Sequence, residues 1–407
     1  MNKHSFRLLP LAALPLILTA CGGDDNKSTP LSEGSYAVQL VASDYSSSQV
    51  AVGNIIGDRT ATQGLLSKAD SDYTISTFGS SLYHIGRYGI DTIDRYDTAA
   101  DTAFNEAIWS YSTNDAGDST ANTYKLVQVS DTKAYVIRYG ANSIWEVNPS
   151  ATSEADFKVA EIDMSEYTYS GDNPGVAPRM VDAIVVNGQL LVVMQRLDGW
   201  WGAQQAYVAV IDVDSNEEID TDPQTDGLKG VALTVSNPGN LVEHNGTVYV
   251  AGRGNYGSNS GGIDEISTSS WEVTNLVNGE TFADELNDVD NNIYYHITDV
   301  AVTEDNQLYL TANIEQGYTT QYTRIFELNP STGVSTELDL NALTGINADT
   351  AIKMGDLNVD TNNRLWAAIR NSDTPGLVVI DTDTNTRSGD VIELDMPASA
   401  INFLSVE

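Results

Sequence analysis

The chain has 407 residues, 57 of them Asp or Glu and 20 Lys or Arg, giving a formal net charge of −37 at neutral pH. A surface this negative excludes nucleic acid and anionic membrane surfaces as partners, and 41% apolar residues exclude a disordered or fibrous chain. One cysteine and four histidines leave no disulfide framework and little material for a metal centre.

Lys3 and Arg7 form a basic segment ahead of the apolar run Leu8–Leu18, which is too short to serve as a final membrane span. Leu18-Thr19-Ala20-Cys21 resembles a bacterial lipobox. Residues 1–20 therefore read as a lipoprotein signal peptide and Cys21, the sole cysteine, as the lipidated first residue of the mature chain. Two or three acyl chains at one terminus suffice for stable anchoring. Cleavage removes Lys3 and Arg7 and no acid, leaving 18 basic against 57 acidic residues, or −39. Residues 21–35 are polar and rich in Gly and acid, and read as a flexible tether. In lipoproteins of this kind an Asp directly after the cysteine marks inner-membrane retention. Gly22 stands there, so the resemblance implies an outer-membrane location, with the periplasmic face and the cell surface both open.

From residue 36 onward, short runs rich in Val, Ile, Tyr, Thr and Trp alternate with period 2 and break at Gly, Asn, Asp and Ser. One unit recurs six times. Its second strand reads SLYHIGRYG (81–89), AYVIRYG (134–140), QLLVVMQRLDG (189–199), TVYVAGRGNYG (247–257), QLYLTANIEQG (307–317) and RLWAAIRNS (364–372). A first strand precedes each, as in GNLVEHNG with its Asn245-Gly246 turn, and two more follow. Four-strand repeats about 45 to 60 residues apart are propeller blades. The chain ends on INFLSVE (401–407), one more first strand, and opens on YAVQLVAS (36–43), SSQVAVGNI (47–55) and ATQGLLS (61–67), which supply strands two to four. The expected fold over residues 36–407 is all-β: a seven-bladed β-propeller with a hybrid closing blade of one C-terminal and three N-terminal strands.

The turn-flanked LVVIDTDTNT (377–386) resembles the VSVIDTxTNxV pattern of YVTN-type and quinoprotein-like bacterial seven-bladed propellers. The motif marks a hairpin between third and fourth strands and carries no activity of its own. Lipid-anchored propellers of this type include ones that capture corrinoids or other metal chelates for outer-membrane transporters, and the resemblance implies that role as an expectation.

In a propeller the first strand lines the central channel and starts on the rim where the second strand ends. Five places after the aligned apolar residue of the second strand stand Arg87, Tyr139, Gln195, Arg253, Asn313 and Arg370, with Arg138 one place earlier and Arg196 one place later. The first strands open on that rim with Thr74, Lys125, Asp182, Asn240, Asp299 and Asp356. The spacing sets Asp182 near Arg196, Asn240 near Arg253 and Asp356 near Arg370. Two readings stay open. The arginines staple the blades through carboxylates, or part of the ring is uncompensated and holds an anionic ligand. The neighbouring loops add Tyr88, Tyr139, Trp200, Trp201 and Tyr256, a stacking platform for a sugar or planar chelate. Of the histidines only His296 lies near the rim, and none has metal spacing. Asp212–Glu218 and Asp381–Asn385 resemble the start of a calcium loop. Glu217 and Thr386 replace its Gly, and Pro223 and Ile392 replace its bidentate Glu, so both read as turns.

These residues lead to a ligand-binding lipoprotein. Its expected partner is a small anionic ligand (metal chelate, corrinoid, siderophore or acidic sugar) or an envelope protein such as an outer-membrane transporter. No cofactor, metal or catalytic residue is expected, and membrane contact is through the lipid anchor alone. A propeller enzyme, lyase or quinoprotein-like oxidoreductase, using the same funnel is the competing class, and an envelope assembly scaffold is a third.

Overall fold

The computed structural model describes residues 34–404 apart from 101–102, 116, 118–119 and 286–292, so the expectations for the signal peptide, for Cys21 and for nearly all of the tether lie outside the described residues. Seven antiparallel sheets follow one another around a ring. The innermost strands of blades 1 to 6 are Tyr73–Phe78, Thr123–Ser130, Met180–Val186, Pro238–His244, Ile293–Val302 and Met354–Val359. Blade 7 has Ala398–Leu404 innermost, followed outward by Ser35–Val41, Ser48–Asn54 and Thr62–Lys68. The two chain ends pair as Ala37↔Asn402 and Val38↔Ile401, so the hybrid blade closes the ring.

Turn chemistry sets the registers. Asn187-Gly188 (φ 52° and 78°) and Asn245-Gly246 (φ 50° and 82°) place two left-handed residues between first and second strands, as a type I′ hairpin requires. In the calcium-like turns, Asp212 accepts from the Ser215 N–H (2.8 Å) and Asp381 from the Thr384 N–H (3.0 Å), so both carboxylates fold back on their own backbone. Left-handed Asn216 and Asn385 in those turns accept the buried hydroxyls of Tyr135 (2.8 Å) and Tyr309 (2.9 Å) from the preceding blade.

Alternation makes each blade apolar on both faces, and each face meets the next blade. Blades 3 and 4, for example, share Leu191, Val193, Val208, Leu241, Val248 and Ile266, and blades 6 and 7 share Trp366, Leu377, Val379, Tyr36, Val38 and Ile401. The core is therefore a set of apolar slabs between blades, and the channel wall is left to polar groups.

A β-bulge recurs at the rim end of six of the seven inner strands, between Thr123 and Lys125, Met180 and Asp182, Pro238 and Asn240, Ile297 and Asp299, Met354 and Leu357, and Ala398 and Ala400. A bulge re-aims the side chain that follows it. Here it turns those side chains around the channel toward the neighbouring blade.

Candidate functional site

The channel side chains form a belt between blades. Lys125 Nζ lies 2.5 Å from Asp182 Oδ1 of the next blade, and Asp182 Oδ2 accepts from the Leu241 N–H one blade further (3.2 Å). The Asn240 amide donates to Asp299 and to the Val300 carbonyl. Asp299 accepts from the Leu357 N–H (2.7 Å) and Asp356 from the Ile401 N–H (2.7 Å). Of the expected neighbours, Asp182–Arg196 and Asn240–Arg253 share no hydrogen bond or ion pair among the described residues, whereas Asp356 and Arg370 stand close enough for the guanidinium charge to lower the Asp356 pKa without a direct contact. The bulge points each acid sideways, and the arginines leave from the second strand in another direction. Burial pushes the Asp299 carboxyl well above the usual range, with the Asp356 charge adding to it. Burial is also the main cause that pushes Asp356 up to about 7.

The rim arginines share a backbone position. The N–H groups of Arg87, Tyr139, Gln195, Arg253 and Arg370 donate to Asp72, Asn122, Arg179, Asn237 and Lys353, in each case the residue just before the inner strand. Their side chains nevertheless differ. Arg87 pairs with Asp72 (2.5 Å) and covers the Tyr124 ring. Arg138 turns into the blade wall, 1% exposed, donating to the Thr113 carbonyl (3.0 Å), Ser143 (3.0 Å) and Asp115 (3.4 Å) over the Trp145 ring. It therefore lies away from the funnel. Left-handed Arg196 (φ 51°) donates to the Tyr167 and Gln205 carbonyls. Arg253 bonds Glu315 of blade 5 (2.5 Å) beneath the Tyr256 ring.

Glu315 is a residue the repeat alignment missed. It sits on an elongated blade 5, whose second strand Leu308–Gln316 and third strand Thr319–Leu328 have nine and ten residues against five to seven in the other blades. Buried His296 stands beside it, its Nδ1 on the Arg253 carbonyl (2.9 Å) and its Nε2 3.6 Å from Glu315 Oε2, too long for a hydrogen bond. Burial is the main cause that keeps this imidazole below its ordinary pKa.

Arg370 is different. It is exposed and its guanidinium has no hydrogen-bond or ion-pair partner among the described residues. Its stem lies over Gly355, where an added Cβ would stand 2.6 Å from Arg370 Cδ. With Lys353, also exposed and unpaired among the described residues, it lines a pocket of about 440 Å³ between blades 5, 6 and 7. Val41, Ala42, Ser43, Tyr45, Asn313, Thr320, Asn371 and Ser372 complete the polar and small walls, and no acid is among them. Across the funnel lies the expected aromatic platform, to which the structure adds one residue that sequence reasoning missed. Arg179 stacks between the rings of Tyr139 (4.9 Å) and Trp201 (4.7 Å). Trp200 and Trp201 are 81% and 62% exposed, and Tyr88 and Tyr256 are exposed on the same rim.

No protein-family model and no curated protein matches the chain. Among solved structures it is similar to a protein from Lactobacillus plantarum, at 14% identity over 91% of this chain and 99% of that one, with a TM-score of 0.60. It is also similar to a streptogramin B lyase, at 10% identity over 92% and 95% of the two chains, with a TM-score of 0.49. At these identities the likeness concerns the fold alone. The chain is a seven-bladed β-propeller with a rim that carries unpaired cations and exposed aromatic rings.

Proposed function

We propose that this protein is an outer-membrane lipoprotein, anchored through Cys21, whose propeller binds a small anionic ligand in the pocket at Arg370 and Lys353. One observation carries the reading: in a chain with 57 acidic residues, two unpaired cations share a pocket that no carboxylate lines. Four other pockets each include an acid, among them Asp58, Glu337, Asp373 and Asp115. A volume of about 440 Å³ falls in the range of ligand sites, roughly 300–1,000 Å³, and no carboxylate among the lining residues competes with a ligand anion for the two cations.

Thermal unfolding of the purified protein with corrinoids, haem, ferric siderophores, acidic sugars and simple oxyanions tests this. One class is expected to raise the melting temperature, since a ligand at a hundredfold its Kd stabilises by about 2.7 kcal/mol. The shift disappears in K353Q/R370Q, which is expected to remain folded with a ligand-free melting temperature within a few degrees of the wild type. A panel without any shift, or a shift that survives both substitutions, overturns the reading. Anchoring has its own test: an acyl-chain label is expected to mark the protein in cells and to be absent from Cys21→Ser.

The enzyme reading has one observation in its favour. Thr320, which lines the pocket, also donates to Glu315 (3.3 Å), and Glu315 stands beside a buried, neutral-leaning His296. A carboxylate with a neutral imidazole is equipped for proton transfer. Chemical change of a bound ligand on incubation with the protein would move the assignment there.

A further inference from the structure

The loop that exposes the two tryptophans is rigidly built. Leu197 and Ala203 bridge its base. The Asp198 carboxylate accepts from the N–H groups of Trp200 (2.8 Å) and Gly202 (2.9 Å) and from the Gln204 amide (3.2 Å). The Ala203 N–H crosses to Asn255 of blade 4 (3.1 Å). Trp201 (φ 68°), Arg179 (φ 62°) and Arg196 (φ 51°) are all left-handed. Non-glycine residues seldom adopt that conformation, and it persists where the surroundings over-determine it. The fold thus holds two large rings mostly in water, with the Arg179 stack on Trp201 as the packing they gain. The Arg179 guanidinium has only ring faces for company among the described residues, with no hydrogen-bond acceptor and no ion-pair partner.

An open indole beside a guanidinium with unfilled donors selects a ligand that has one apolar face and an adjacent anion. A flat aromatic acid gains most in a slot that covers both its faces, and this platform is open. A sugar ring suits it better, because it lays a C–H face on an indole and keeps its hydroxyls in water. We propose that Arg179, Trp200 and Trp201 form a subsite for a carboxylated sugar residue of an acidic saccharide, with the ring on the indole and the carboxylate on the guanidinium. The rest of the rim extends the platform. Six of the seven exposed aromatic side chains among the described residues, Tyr45, Tyr88, Trp200, Trp201, Tyr256 and Tyr318, lie at this end of the propeller, and Phe78 lies at the other. A saccharide chain crossing the funnel mouth meets further rings. The subsite shares the rim with the pocket proposed above and uses different residues, so each assignment can fail alone.

The test is tryptophan fluorescence and calorimetry with a galacturonic acid trimer, its methyl ester, and mannuronate and sialic acid oligomers. One acidic oligomer is expected to quench tryptophan emission and to bind about tenfold or more tighter than its neutral ester, a difference of about 1.4 kcal/mol. Arg179→Gln removes that preference and leaves ester binding unchanged, and Arg179→Lys restores part of it. Trp201→Ala weakens acid and ester alike, whereas K353Q/R370Q changes neither. Absence of binding by every acidic oligomer, equal binding of acid and ester, or an acid preference that survives Arg179→Gln overturns the proposal. Loss of the preference in K353Q/R370Q would transfer the anion to the other pocket and overturn it as well.

Discussion

Arg253→Ala is expected to destabilise the protein by about 3 kcal/mol, whereas Arg370→Ala costs less than about 1 kcal/mol. Both arginines hold the same backbone position in the repeat. Arg253 lies 2.5 Å from Glu315, whose side chain is 5% exposed. Removing the guanidinium strands a buried carboxylate, and the loss of one member of such a pair exceeds what the pair contributes over an apolar replacement. Arg370 is exposed and forms no hydrogen bond or ion pair among the described residues; it acts on buried Asp356 only as one of several opposing influences, beside the Ile401 N–H and Lys125, so truncation strands no ion-pair partner. The loss in Arg253→Ala carries a signature. With the cation gone, Glu315 keeps the Thr320 hydroxyl, and its charge is neutralised by proton uptake at the site, His296 standing 3.6 Å away. That uptake grows easier as pH falls, so the loss is smaller at pH 6 than at pH 8. Urea midpoints of the two variants at both pH values check this. Equal losses for Arg253→Ala and Arg370→Ala would mean that burial does not sort the rim.

The contrast also marks where sequence reading stops. Alternation, Asn-Gly turns and the repeat spacing suffice for the blades and for the hybrid closure, because each depends on local periodicity. The equivalence of Arg87, Arg253 and Arg370 follows from the same alignment. Their partners do not: Arg87 takes Asp72 of its own blade, Arg253 takes Glu315 of the next blade, and Arg370 has no ion-pair partner among the described residues, differences that a repeat template averages away. Arg196 is turned outward by a left-handed φ of 51°, and Asp182, Asp299 and Asp356 are turned sideways by bulges. Glu315 escaped notice because blade 5 is longer than its siblings. Arg179 and Lys353 escaped because the first strands were read as opening at Asp182 and Asp356, three places further on. Both stand immediately before a methionine that opens an inner strand, Met180 and Met354, and placing the strand starts at those methionines would have paired them.

The channel carboxyls make stability fall as pH rises. Asp356 is pushed up to about 7, chiefly by burial and further by the Asp182 charge, against the opposing Ile401 N–H, Lys125 and Arg370. Its ordinary value is 3.8, so the folded state keeps a proton that the unfolded chain releases. The associated stability is complete below about pH 4 and is lost as pH rises through 7. Asp299 is displaced in the same direction. Glu161 works the other way, held below 4.5 first by the Ser143 hydroxyl and then by Lys158, so acid removes its contribution. The urea midpoint is therefore expected to peak near pH 5 and to decline toward pH 8, by on the order of 1–3 kcal/mol. Asp356→Asn keeps an oxygen for the Ile401 N–H and cannot titrate. It is expected to flatten the decline and to match or exceed the wild type at pH 8. A wild-type midpoint that rises from pH 5 to 8, or an Asn variant with an unchanged slope, would sink this account. The same linkage reaches the pocket. Arg370 is one of the cations that hold Asp356 down, so an anion that neutralises Arg370 drives Asp356 to bind a proton. Calorimetry near pH 7 is expected to record proton uptake with ligand binding, an affinity that falls as pH rises, and no such uptake in Asp356→Asn.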